Sequence, residues 1–204
     1  MTRIRVLFLL GMAAVFVSAG CSTAPMKLQA INYGEGAVEQ PNAPSLPDGC
    51  KVRIASVQDR RAAPSDLGDL GKPVQAEFDI KGWIAEGLRS LEKKTGSSLS
   101  TPEATTIDLD AELRNAYIRG VATSKATNIV LTVKYSLKDR PLSEKNYRGQ
   151  VTCINWIGSE GEIKDSFNEA LAQIVQSVAV DVSVLCNTAG DQTLHSKQTI
   201  SKGE

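Results

Sequence analysis

The chain of 204 residues contains one histidine, His195, set in a polar stretch close to its end. That scarcity excludes the common histidine chemistries. A Ser-His-Asp or Cys-His nucleophile would have to draw on His195, where nothing orients it. A zinc site lacks both its histidines and any CxxC pair. No glycine-rich loop stands between a strand and a helix, so a phosphate cradle is missing too. Net charge is also lacking, with 23 basic and 23 acidic side chains, and aromatic residues make up only 5%. A nucleic-acid partner calls for a basic field that this balance does not supply. The expectation is a protein that is not an enzyme, holds no metal or dissociable cofactor and binds no nucleic acid. At the start of the chain a permanent membrane-spanning helix is the weaker reading. The apolar run Val6 to Val17 would span only about 18 Å as a helix, against roughly 30 Å of hydrocarbon.

What that run does form is a leader. Arg3 and Arg5 precede it, and the small residues Ser18, Ala19 and Gly20 follow it, directly before Cys21. Val17-Ser18-Ala19-Gly20-Cys21 resembles a bacterial lipobox, although Ser18 stands where that pattern prefers leucine. The resemblance implies signal-peptidase recognition at Ser18, Ala19 and Gly20. It also implies a covalent diacylglycerol and N-acyl lipid on Cys21, which becomes the first mature residue. The other reading is an ordinary secretory signal with Cys21 as a bystander. Ser22 follows the cysteine where aspartate would mark inner-membrane retention in enteric bacteria, so the resemblance points to the outer membrane, facing the periplasm.

Removal of residues 1–20 leaves near-neutral material, 21 basic against 23 acidic side chains, and enough length for one domain. Residues 21–49 carry Pro25, Pro41, Pro44 and Pro47 and little periodicity, and read as a lipidated N-terminus and flexible tether of roughly 30 Å mean reach. The domain proper is expected over 50–186, and 187–204 reads as a disordered polar tail.

Within the domain, Lys51 to Val57 reads as a strand and Gln58 to Glu77 as a long loop with Pro64, Gly68, Gly71 and Pro73. Asp59-Arg60-Arg61 opens that loop, either as an anion site or as a solvated turn with a local ion pair. A helix should start at Asp79, with Phe78 and Trp83 at staple spacing and Gly96 as its C-cap. Thr106 to Ile118 alternates, placing Ile107, Leu109, Ala111 and Leu113 on one face and Asp108, Asp110 and Glu112 on the other. Carboxylates in a straight row do not wrap a calcium ion, so a solvated face is expected. Asn128 to Lys138 repeats the alternation, with Lys134 and Lys138 placed to pair with the neighbouring carboxylates. Asp139 to Asn146 reads as a turn and Tyr147 to Ile157 as the last strand, with Ile154 and Trp156 pointing outward. Ser166-Phe167-Asn168-Glu169 is a capping box opening a long apolar-striped helix that ends near Cys186.

The order strand, helix, three-strand meander, helix predicts an α+β two-layer sandwich, with both helices on one face of a four-stranded sheet. Strand and helix directions bring Cys50 and Cys186 to the same end, so the favoured disulfide is Cys50–Cys186, which leaves Cys153 a free thiol.

The chain also resembles the YajG-like outer-membrane lipoproteins. The shared features are the anchored leader, Val52-x-Ile54 followed by Asp59-x-Arg61, the Ile107-x-Leu109 strand and the Tyr135 strand. They continue in Tyr147-x-Gly149, the Trp156 region and Phe167-Asn168-x-Ala170-Leu171. The resemblance implies an envelope lipoprotein. Three roles stay open: an accessory or adaptor for an envelope assembly or transport system, with Ile154 and Trp156 as a partner surface; a carrier or sensor of a small apolar ligand such as lipid; and a purely structural envelope protein.

Overall fold

A computed structural model of the chain describes residues 24–34, 45–92, 105–154 and 159–200, with side chains described as far as Thr188. In chain order its elements are β1 (Met26–Leu28), β2 (Cys50–Asp59), β3 (Asp66–Asp69), β4 (Pro73–Ala76), α1 (Ile80–Arg89), β5 (Thr105–Val121), β6 (Ser124–Leu137), β7 (Arg140–Ile154) and α2 (Glu160–Ile200). The α+β two-layer sandwich is as expected, but its sheet has seven strands among the described residues.

The meander β5-β6-β7 is antiparallel, and β2 lies parallel to the first half of β5. Those four strands are the expected sheet. The other three come from segments read as loop and tether. β3 pairs with the far end of β5 at Gly68↔Ile118, on the same edge as β2, and β4 and then β1 add beyond it. Gly68 explains why a loop was expected there. A Cβ on Gly68 would lie 1.9 Å from the Ile118 carbonyl oxygen, and its φ is +113°. The glycine that reads as a breaker is what lets β3 reach β5.

The tether expectation is corrected in the same way. Leu28, Ile31 and Leu46 are buried in the core, the Glu77 N–H donates to the Leu28 carbonyl at 2.9 Å, and Lys27 pairs with Glu77 at 2.5 Å. A half-apolar segment finds an open strand edge and is held by it.

Along β5, Ile107, Leu109, Ala111 and Leu113 point inward as their alternation predicts, and a bulge between Leu113 and Asn115 then returns Ala116 and Ile118 to the core. The β6–β7 turn is tighter than expected. Lys138 and Asp139 alone form it, with φ of 49° and 64°, and Pro141 falls inside β7, where an edge strand tolerates it.

α1 starts after Asp79, although the Asp79 side chain makes no capping bond. The staple does form, with the Phe78 and Trp83 rings edge-on at 6.4 Å. Ser90 ends the helix, and Gly96 lies outside the described residues. α2 starts earlier than expected because Ser159 and Glu162 form the spacing of a capping box as well, and the Glu162 N–H reaches Ser159 Oγ at 3.3 Å. Ser166 is therefore an interior residue, bonded to the Ile163 carbonyl.

Ile163, Phe167, Ala170, Leu171, Ile174, Val178 and Val182 bury one stripe of α2 against the sheet. Its Glu160–Thr188 stretch is long and apolar enough to cross a membrane by length and composition, yet half of it is buried inside the fold. It is the core helix. Beyond Cys186 the helix continues to Ile200, which corrects the expectation of a disordered tail from residue 187.

Let the upper rim be the end of the sheet where β5 turns into β6. β2, β3, β5 and β7 run up to it, while β1, β4, β6 and α2 run down from it.

Candidate functional site

The inward face of β6 becomes polar towards the upper rim. Lys125 is 2% exposed and its ammonium meets Glu162 of α2 at 2.7 Å. Thr127 and Ser166 share a hydroxyl hydrogen bond of 2.8 Å one turn further along. Asn168 accepts from Trp83 Nε1 at 2.9 Å and donates to the Asn32 carbonyl at 3.0 Å. It thereby ties both helices to the segment after β1. These groups lock α2 to the layers around it. Lys125 was not anticipated, and its signal is that the inward series Tyr135, Val133, Leu131, Ile129 runs on by twos to Thr127 and Lys125.

A second polar cluster lies between β6, β7 and α2. The Tyr135 and Tyr147 hydroxyls are 2.5 Å apart, Tyr147 donates to Asp181, and Lys145 reaches the other Asp181 oxygen at 2.6 Å. Burial pushes both tyrosine hydroxyls well above the usual phenol range. Burial alone would raise Asp181 too, but hydrogen bonds from Lys145 and Tyr147 outweigh it and hold the carboxyl below its ordinary value. Protonated tyrosines clamped on an ionised carboxylate have no proton to exchange at neutral pH, so the cluster fixes α2 to β7.

The outward sheet face carries the carboxylate row, and it is paired instead of merely solvated. Asp108 is 5% exposed and takes two bonds from Arg53, at 2.6 and 2.8 Å. Ser56 donates to Asp110 at 2.6 Å. Lys134 meets Glu112 at 3.0 Å as expected, and Arg114 joins the same carboxylate. The hydrogen bond from Lys134 leads the effects that hold Glu112 below the usual range. Near the β6–β7 turn this face forms an open cleft of about 570 Å³ with a mixed lining, in which Asp110, Lys134, Asp139 and Glu144 stand beside Tyr135, Pro141 and Leu142. Among the described residues no second layer covers this side: Arg114, Arg148 and Gln150 are exposed.

Asp59 and Arg61 do not form an open anion site. Both side chains are buried, 11% and 6% exposed, and paired at 2.8 Å. Arg61 also donates to the Pro64 and Asp66 carbonyls. The guanidinium is spent on holding the approach to β3.

Cys50 and Cys186 are bridged, with Cα atoms 5.8 Å apart, and Cys153 is a free, half-buried thiol. Ile154 is 64% exposed on the outward face. Ser18, Ala19, Gly20, Cys21 and Trp156 lie outside the described residues. Among the described residues no group of three or more His, Cys, Asp or Glu side chains could hold a metal ion.

No family model matches the chain, and no curated protein does. Among solved structures, a Xanthomonas campestris protein of family DUF330 superposes with a TM-score of 0.52 at 12% identity, covering 83% of this chain and 99% of that one. A Caulobacter crescentus protein with a provisional lipoprotein label gives 0.42 at 10% identity, over 68% and 91% of the two chains. A hypothetical protein from Chlamydia trachomatis gives 0.42 at 9% identity, over 68% and 95%. What the Xanthomonas likeness establishes is a shared fold.

Proposed function

We propose that this chain is a lipid-anchored, non-catalytic lipoprotein of the bacterial outer membrane, facing the periplasm and serving as an accessory or adaptor to an envelope assembly or transport system. The leader and Cys21 support the anchor, and the YajG-like resemblance supports the compartment. The observation that carries the adaptor reading is the uncovered sheet face. α1 and α2 both pack on one side, while the other presents a hydrogen-bonded array of charged and amide side chains with no covering layer among the described residues. Such a pre-organised surface loses little freedom on binding.

The apolar-carrier reading gains nothing from the packing. Between α2 and β7 the backbones are so close that a Cβ on Gly149 would lie 1.8 Å from the Ala170 carbonyl oxygen, and the cleft near the β6–β7 turn lies on the outward face, open to solvent, instead of between helices and sheet.

Native mass spectrometry of the protein taken from its own membrane, with a photo-crosslinker at Arg148 or at Ser177, tests the proposal. The expected result is an acyl mass on Cys21 and a stoichiometric protein adduct from Arg148 but not from Ser177, on the solvent side of α2. A chain with acyl mass and no adduct from either position would leave only the structural role.

A further inference from the structure

We propose that the upper rim of the sheet, built from Leu70, Lys72, Tyr117, Arg119, Val121 and Ile154, seats on the membrane that holds the Cys21 lipid. The inference rests on the anchor reading above and deepens it into an orientation.

The argument begins with chain length. A tether of 28 residues would leave the domain free to tumble, but β1 begins at Met26. Five residue steps separate Cys21 from Met26, at most about 17 Å when fully extended. The register then places Met26. It lies beside Val74, which is level in turn with Gly68, Ile118, Thr127 and Val151. The row that closes the sheet, Val121, Ser124 and Ile154, is three residues higher, or about 10 Å. β1 runs down from the rim, so the chain before it leads upward. The lipid attachment point therefore stands no more than about 7 Å beyond the rim, while the lower end of β5 is about 50 Å away.

The chemistry of the rim suits that neighbour. Among the described residues, the exposed large apolar side chains of the sheet are Tyr117, Val121 and Ile154, at 37, 44 and 64% exposure. All three lie on the outward side of the rim. Arg119 is exposed among them, and Lys72 sits on the adjoining β3–β4 turn. The acid at that turn, Asp69, spends an oxygen on the Gly71 N–H at 2.7 Å. Apolar and phenolic groups flanked by cations are what the headgroup boundary of an anionic leaflet accepts. Among the described residues the lower end, with Asp139, Glu144 and Lys145, has no such strip.

The test uses the full lipidated protein in vesicles of phosphatidylethanolamine and phosphatidylglycerol, some carrying brominated acyl chains. A bimane label is placed at I154C, at V121C or at E144C, each with C153S. Flotation and the acyl mass on Cys21 report the anchor independently. The expected outcome is flotation of all three proteins, with bimane emission at 121 and 154 falling about twofold, as for a group at the headgroup boundary, and unchanged at 144. Floating protein with unquenched rim labels would overturn the orientation and leave the anchor standing. Equal quenching at all three sites would overturn it in favour of a domain lying on its side. Protein that does not float would overturn both readings.

Discussion

Gly149→Ala should be among the most damaging single methyl additions in this fold. A Cβ at 149 would lie 1.8 Å from the Ala170 carbonyl oxygen, 2.6 Å from its carbon and 3.1 Å from its Cα. Carbon and oxygen settle near 3.3 Å, so α2 must retreat by about 1.5 Å above β7. The obstacle is helix backbone, which cannot swing away as a side chain can. Retreat opens gaps around Phe167, Leu171 and Ile174, and a gap of 0.5–1 Å already forfeits about a quarter to a half of each contact. Overpacking costs roughly 1–3 kcal/mol, and a backbone obstacle places this site at about 3 kcal/mol. In equilibrium urea unfolding, with a slope of about 2 kcal/mol per molar, the midpoint should fall by about 1.5 M. Two companions fix the interpretation. Gly161→Ala, which meets nothing within 4 Å in the first turn of α2, should gain up to about 1 kcal/mol. Ala170→Gly should fail to rescue Gly149→Ala, because the clash is with a carbonyl that glycine retains. A Gly149→Ala protein within about 0.5 kcal/mol of the parent, at unchanged slope, would refute the close approach of helix and strand.

Three further outcomes are expected. Replacing Cys50 and Cys186 together by serine frees a loop of 136 residues, an entropic loss of about 5 kcal/mol, and a fall in urea stability below about 1 kcal/mol would count against that constraint. Glu162→Gln should destabilise more than Lys125→Met in thermal melts, because it leaves the buried Lys125 ammonium without the carboxylate at 2.7 Å, whereas the methionine removes the buried charge itself and Glu162 is partly exposed; the reverse order would sink the argument. Asp59 is held below the ordinary carboxylate value, burial being outweighed by side-chain and backbone hydrogen bonds from Arg61. Its stabilising effect is full above the unfolded-state value near pH 4 and is lost as pH falls through the lower folded value. Asp59→Asn should accordingly flatten the acid limb of a stability–pH profile, and an unaltered limb would show that other carboxylates set it.

The main sheet and its helix layer were legible because their periods are clean. Ile107 to Leu113 alternates strictly and Ile129 to Leu137 does so apart from Val130, and the α2 stripe repeats at helical spacing, so faces and directions follow. Those directions put Cys50 and Cys186 at one end, where the bridge is found. The accessory strands were not legible because their residues carry two meanings. Gly68 and Gly71 signal a break in any window, and only the approach to Ile118 shows that one of them makes a contact. β1 is three residues long, too short for a period to show. The β6–β7 turn carries no glycine, so Lys138 and Asp139 gave no sign of positive φ. Two capping boxes compete at the start of α2, and the earlier one wins because Ile163 between them is buried. The polar locks at Lys125 and Asn168 depend on partners 37 and 85 residues away, which no local pattern reveals.

The bridge between Cys50 and Cys186 also decides how the molecule bears load. Were the molecule pulled between the chain before Cys50 and the helical end beyond Cys186, tension would enter the domain at Cys50 and leave it at Cys186, and those two residues are one covalent junction. The strands and helices enclosed between them lie outside the path of the force. What would yield first is β1, pulled from the edge of β4 like a strip of adhesive tape. The 29 steps from Cys21 to Cys50 could reach at most about 100 Å before the bridge took the load. Under such a pull the bridge would leave the folded body hung beside the line of force.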